Sequence, residues 1–298
     1  MTDYVGRFAP SPSGPLHFGS LVAAVASFCD ARAHHGKWLV RIEDIDTPRC
    51  QTGADKLILD CLQAHELHWD EEVVYQSQRL DLYHEYVDKL RQRTQVYWCT
   101  CNRQRLKTLG GDYDGLCREQ GHSRENAALR VHINKPTMAF HDLLLGEQTS
   151  AAPICDPIIV RRDGLFAYNL VVVVDDIEQG VNHVVRGSDI LPVTPLHLSL
   201  AKLLTTSANT PSLDTKIPAY MHLPVACVEP GRKLSKQNHA PALDNEAAKH
   251  NVITALNFLG QALPDDWQRR SLSQIIDYAI SHWQRQNVPK CMEVIVAE

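Results

Sequence analysis

Two distant stretches carry residues suited to chemistry on a nucleotide. The first reads Arg7-Phe8-Ala9-Pro10-Ser11-Pro12-Ser13-Gly14-Pro15-Leu16-His17-Phe18-Gly19-Ser20. It sets glycine and proline between a short apolar run and a helical pattern, with an imidazole at the junction. Gly14 and Gly19 permit close backbone approach to a ligand. A helix N-terminus presents unpaired N–H groups to phosphate oxygens. His17, read as part of the first turn, adds a donor there. The second stretch, Lys233-Leu234-Ser235-Lys236-Gln237, follows Pro230-Gly231-Arg232. Its lysines are flexible point charges that can follow charge onto a leaving group. Each stretch has a plain alternative: a strand–turn–helix with a capping histidine, and a lysine-rich surface loop. Together they suit a triphosphate gripped from two sides.

Further charges gather where an α/β sheet binds ligands, outside the carboxyl ends of its strands. Arg7 ends a first short strand. Arg41-Ile42-Glu43-Asp44-Ile45-Asp46 ends a second with three carboxylates. Glu43 matches an ammonium and Arg7 a carboxylate, so the pair suits an amino acid. A solvated acidic loop is the plain alternative. Cys99, Cys101 and Cys117 place three thiols in one short region, by coincidence or as a metal site.

The elements that position these groups follow from periodicity. A strand at residues 4–8, a helix over 16–35 and a strand at 37–43 open a parallel α/β sheet. Two helices follow, at 55–65 and 79–93. Near residue 96 short strands and a Gly/Asp-rich loop replace this pattern, which predicts an inserted subdomain. The α/β pattern resumes near Pro157, with a turn at Asp163-Gly164. Residues 168–177 are ambiguous: Val171-Val172-Val173-Val174 favours a strand, yet a buried helix fits equally. A strand is expected at 183–186, a helix at 194–204, a polar loop at 207–214, and helices after Lys236.

The 298 residues suffice for a full core and for two or more domains. With 44% hydrophobic and 22% charged residues the composition is that of a soluble globular protein. No apolar run is long enough to span a bilayer, and no signal peptide is read at the N-terminus. A cytoplasmic location without membrane association is expected. The nine cysteines are scattered, so reduced thiols are expected; Cys29 and Cys61 read as small buried hydrophobes. A formal charge of −5 argues against a generic nucleic-acid coat but not against a local RNA contact.

The chain resembles the class I aminoacyl-tRNA synthetases of the glutamyl type. His17-Phe18-Gly19-Ser20 is similar to that class's H-I-G-H motif, with Phe and Ser as departures. The segment from Lys233 to Gln237 is similar to its K-M-S-K-S loop, with Leu and Gln as departures. The blocks at Arg7 and Arg41, Tyr168-Asn169 with Val172-Val173-Val174-Asp175-Asp176, and Val185-Arg186-Gly187 resemble the glutamyl subgroup. The resemblance implies a Rossmann-like parallel-sheet catalytic domain, halved as 1–95 and 157–205. A zinc-binding insertion would occupy 96–156. Residues 206–298 would hold the nucleotide loop and a short helical, stem-contact-like region. It implies that Arg7, Phe8, Ala9, Pro10, Ser11, Glu43, Tyr168 and Arg186 hold L-glutamate. His17, Gly19, Lys233 and Lys236 would bind ATP with Mg²⁺, with His17 and Lys236 catalytic. It makes 168–177 a buried helix, and Cys99, Cys101, Tyr113 and Cys117 the ligands of one structural zinc. The short stretch after Lys236 leaves no room for an anticodon-binding domain. That resembles the truncated paralogues that transfer glutamate to the queuosine base of tRNA(Asp), and a monomer is expected. The alternatives are a truncated enzyme charging tRNA(Glu) at its 3′ end, or a non-catalytic RNA-binding paralogue.

Overall fold

The structure is a computed structural model, describing residues 3–93, 95–151, 154–205, 217–234 and 241–296. Strand β1 (Val5–Phe8) leads through the Pro/Gly segment into helix α1 (Phe18–Ala33) and then β2 (Lys37–Ile42). The two strands pair in parallel, Val5 opposite Lys37 and Phe8 opposite Val40. Helix α1 is buried almost all round, from Leu21 to Ala31, because alanines at 23, 24 and 26 let neighbours approach closely. Ser27 accepts a bond from the Trp38 indole at 3.0 Å, tying the helix to the strand beneath it.

Helix α2 (Ala54–Ala64), the short β3 (Val74–Tyr75) and helix α3 (Leu80–Gln92) complete the first half. β3 continues the parallel sheet, Arg41 opposite Val74. Then come β4 (Val96–Cys99), α4 (Arg103–Thr108), β5 (Ala128–Val131), β6 (Ala139–Asp142), β7 (Gly146–Thr149) and β8 (Ile158–Val160). Helix α5 (Tyr168–Glu178), β9 (His183–Gly187) and α6 (Thr194–Thr205) follow. Beyond them lie β10 (Ala219–Leu223), β11 (Val225–Glu229) and β12 (Arg232–Lys233). Helices α7 (Ala248–Phe258) and α8 (Leu272–Ser281) and strand β13 (Glu293–Ile295) end the described chain. The polar loop expected at 207–214 lies outside the described residues.

Strand pairing departs from the expected boundaries in three places. β6 pairs in parallel with β10, and β10 with β9, in a second sheet of order β7-β6-β10-β9, although β6 lies within 96–156. β10 is a central strand of that sheet although it lies beyond 205. β8, expected to resume the parallel pattern, closes an antiparallel sheet of order β4-β5-β8. Short apolar runs announce strands, but their partners are set by contacts far away in sequence.

The two parallel halves meet at Asn182. Its side chain accepts from the Val5 amide at 2.8 Å, and its own amide donates to the Val5 carbonyl at 3.0 Å. The valine run is helical, as the resemblance implied: Leu170 to Asp176 are all buried in α5. Burial on every side overrides the strand preference of β-branched residues. At the far end, Arg285 grips the fully buried Asp30 of α1 at 2.6 and 2.9 Å, with bonds from Trp283 and Tyr4.

Candidate active site

The carboxyl ends of β1 and β9 and the N-terminus of α1 surround a cavity of about 630 Å³. Its walls include Arg7, Phe8, Ala9, Pro10, Ser11, His17, Gly19, Glu43, Tyr168, Arg186 and Lys233. Every site residue expected for glutamate and ATP therefore meets there, except Lys236, which lies outside the described residues.

At the α1 end of the cavity, His17 is the residue before the helix rather than part of its first turn. Its backbone is extended (φ −122°, ψ 173°), and its carbonyl accepts from the Ser20 and Leu21 amides. This leaves the imidazole beside the first helical N–H groups. Gly19 shows why a side chain is missing there. A Cβ would sit 3.2 Å from the His17 ring and 3.4 Å from the Leu234 carbonyl. The absent methyl lets the two distant stretches touch. Lys233 reaches across to Asp189, 2.7 Å away, and both line the cavity. Gly14 has φ +130°, in the region that favours glycine, and so turns the chain between Ser13 and the helix.

At the β2 end of the cavity, Glu43 is held by its amide, which donates to the Pro10 carbonyl at 3.0 Å. Arg7 donates to Asp176 at 3.2 Å. Behind them Arg41, fully buried, lies 2.8 Å from Asp176, 3.5 Å from Glu43 and 3.7 Å from Asp175. Asp175 also accepts from Tyr83 and Gln76 and pairs with Arg79 at 2.9 Å. Burial pushes the Glu43 carboxyl up, against the pull of Arg41 and Arg7. Burial acts on Asp176 too, but the two guanidiniums outweigh it and hold its pKa below the usual range.

Arg186 is gripped differently. It donates to His222 at 3.1 Å, to His197 at 3.2 Å and to Thr194 at 2.8 Å. Neither the Asp175–Asp176 support nor the neutral grip on Arg186 was legible as function in the sequence. Asp142 and His222 stand 80 residues apart, and the β6–β10 pairing brings them together.

A second cluster lies off the cavity. The thiols of Cys99, Cys101 and Cys117 sit within 4.8 Å of one another, Cys101 and Cys117 at 3.5 Å. Zinc–sulfur bonds of about 2.3 Å in a tetrahedron put sulfurs about 3.8 Å apart, so the three thiols suit zinc. The Tyr113 hydroxyl is buried with them and accepts from the Cys117 amide at 2.9 Å. The three thiols could hold a metal ion, with Tyr113 packed beside them.

Residues 4–253 match the family model of class I tRNA synthetases (E and Q), catalytic domain. The chain belongs to that family. It is 49% identical over 290 residues to the glutamyl-Q tRNA(Asp) synthetase of Yersinia pseudotuberculosis, covering 97% of this chain and 85% of that one. It is 49% identical over 298 residues to the protein of that name from Salmonella typhi, covering 99% and 97%. Among solved structures it is similar to the glutamate-tRNA synthetase of Elizabethkingia anophelis. That likeness has a TM-score of 0.78 at 21% identity, over 99% of this chain and 68% of the other, and supports the fold. No helix among the described residues is long and apolar enough to cross a membrane.

Proposed function

We propose that the protein activates L-glutamate with ATP and transfers it to the queuosine base in the anticodon loop of tRNA(Asp). The observation that carries this is the 49% identity, over nearly the whole chain, to glutamyl-Q tRNA(Asp) synthetases. In the first step an α-carboxylate oxygen of glutamate attacks the α-phosphorus of ATP, and pyrophosphate leaves. In the second, a hydroxyl of the queuosine cyclopentene diol attacks the activated carbonyl, and AMP leaves.

Glu43 takes the ammonium of glutamate, and Arg186 with the Arg7–Ser11 wall and Tyr168 holds the rest. His17 and the α1 amides stabilise charge on the phosphates, and Gly19 lets them approach. Lys233 and Lys236 follow charge onto the leaving pyrophosphate. Mg²⁺, when bound with ATP, neutralises phosphate charge. The β4-β5-β8 sheet with its thiol cluster is the inserted zinc subdomain of a monomeric, cytoplasmic enzyme. Metal analysis of the purified protein is expected to give one zinc per chain, lost in Cys117→Ala.

Acceptor specificity tests the function. Labelled glutamate is expected to enter tRNA(Asp) carrying queuosine and not tRNA(Asp) from queuosine-deficient cells. Charging of tRNA(Glu) instead would mark a 3′-end enzyme. Absence of glutamate-dependent ATP–pyrophosphate exchange would mark a non-catalytic paralogue. Lys236→Ala is expected to slow exchange by roughly 100- to 1,000-fold.

A further inference from the structure

Arg186 is 6% exposed and lines the cavity, yet among the described residues it makes no ion pair. Its three nitrogens each donate to a neutral group: Nε to His222, Nη1 to His197 and Nη2 to the Thr194 hydroxyl. The tautomers follow from the outer contacts. His222 Nδ1 lies 2.7 Å from the fully buried Asp142 carboxylate and donates to it, which leaves Nε2 as an acceptor. Thr194 Oγ1 lies 3.0 Å from that same Nε2 and donates to it. His197 Nε2 donates to Asn169 Oδ1 at 3.0 Å, which leaves Nδ1 to accept from Arg186. Below the guanidinium the Tyr220 ring lies 4.9 Å away.

A guanidinium has five N–H groups. Three are spent on this cradle, and one remains on each terminal nitrogen. One N–H on each terminal nitrogen can grip a carboxylate with two parallel bonds. The rest of the site supplies the contrast, since Arg7 already faces the Asp176 carboxylate.

The geometry points to Thr194, His197 and the Asp142-anchored His222 as positioning residues, which hold Arg186 through neutral acceptors so that its charge is reserved for the side-chain carboxylate of the substrate. The cradle selects an acidic amino acid over its amide. An amide NH₂ facing the fork would set donor against donor, and the buried cation would stay uncompensated. Burial keeps both imidazoles neutral: it lowers His222 against the opposing bond to Asp142, and it lowers His197 well below the usual value, aided by the Arg186 charge. Asp142 stays ionised because bonds from His222 and from the Leu145 and Leu144 amides outweigh its burial.

The inference rests on the proposed activation of glutamate, and exchange kinetics separate the two. Thr194→Asp adds a carboxylate where Thr194 now accepts from Arg186. The position opens α6, where an acidic residue suits the helix N-terminus. The expected result is a glutamate KM raised roughly 10- to 100-fold. The ATP KM and kcat should be unchanged, and the preference for glutamate over glutamine reduced. Thr194→Ser should behave as wild type. His197→Gln, which keeps a neutral acceptor, should retain glutamate affinity that His197→Phe loses. An unchanged glutamate KM and glutamate/glutamine ratio in Thr194→Asp overturns the cradle, as does equal glutamate KM in His197→Gln and His197→Phe. If wild-type protein lacks glutamate-dependent exchange, the proposed function fails and the cradle fails with it.

Discussion

Two buried arginines, Arg186 in the cavity wall and Arg41 behind Glu43 and Arg7, have opposite surroundings. Arg41 is enclosed by the carboxylates of Glu43, Asp175 and Asp176. Arg186 is enclosed by two imidazoles and a hydroxyl. With Arg7 on Asp176 and Arg79 on Asp175, the first set is balanced inside the fold, and it fixes the strand ends that carry Glu43 and Arg7. The second leaves a positive charge at the cavity wall. A buried charge without a counterion is costly, and a bound carboxylate relieves that cost. Similar side chains thus stand in two settings: one arginine is paired within the frame, and the proposal gives the other to a ligand.

The contrast can be broken by exchanging stability for binding. The largest effect is expected for Arg41→Met. It leaves Glu43 without this guanidinium and takes one of two from Asp175 and from Asp176, and should cost about 3–5 kcal/mol in chemical denaturation. A near-wild-type midpoint would mean that Arg41 does not neutralise them. Arg186→Met should cost less stability, about 1–3 kcal/mol for the lost bonds to neutral acceptors.

Acid titration sharpens the difference on a smaller scale. Asp142 has a lowered folded-state pKa, so its stabilisation is present above the ordinary carboxylate value near 3.8. It is lost as pH falls through the lower folded value. Asp142→Asn should flatten the acid limb of the stability curve in that range. His183 titrates higher. Burial first, then Arg285, lowers it from 6.5 to about 4. The unfolded chain therefore takes up a proton near pH 6.5 that the folded chain refuses until about pH 4. Stability falls across that window. His183→Phe, which keeps an aromatic ring against Tyr4 at the present 4.0 Å stacking site, should remove part of that slope. An unaltered slope would assign it to other groups.

Legibility in the sequence followed the same division. The strand–turn–helix around His17 is local, and glycine, proline and the three- and four-residue spacing of Leu21, Val22, Val25 and Phe28 mark it plainly. Gly19 was read as permitting close approach, and the Leu234 carbonyl is one of the groups that approaches. The Val171–Val174 run could not be assigned from periodicity, because complete burial erases the polar face that tells helix from strand. β10 was missed because His222 interrupts its apolar pattern; in the sheet that histidine is fully buried on Asp142. Arg186 itself was found through resemblance. Its cradle was not, since Thr194 and His197 of α6 meet Asp142, Asn169 and His222 from three other elements far away in sequence.

Equilibrium titration of L-glutamate into folded Arg186→Met protein, beside wild type, tests most directly whether this arginine is held for the ligand. The expected result is a cooperative unfolding transition like that of wild type together with loss of glutamate binding. Glutamate binding at wild-type affinity would contradict it.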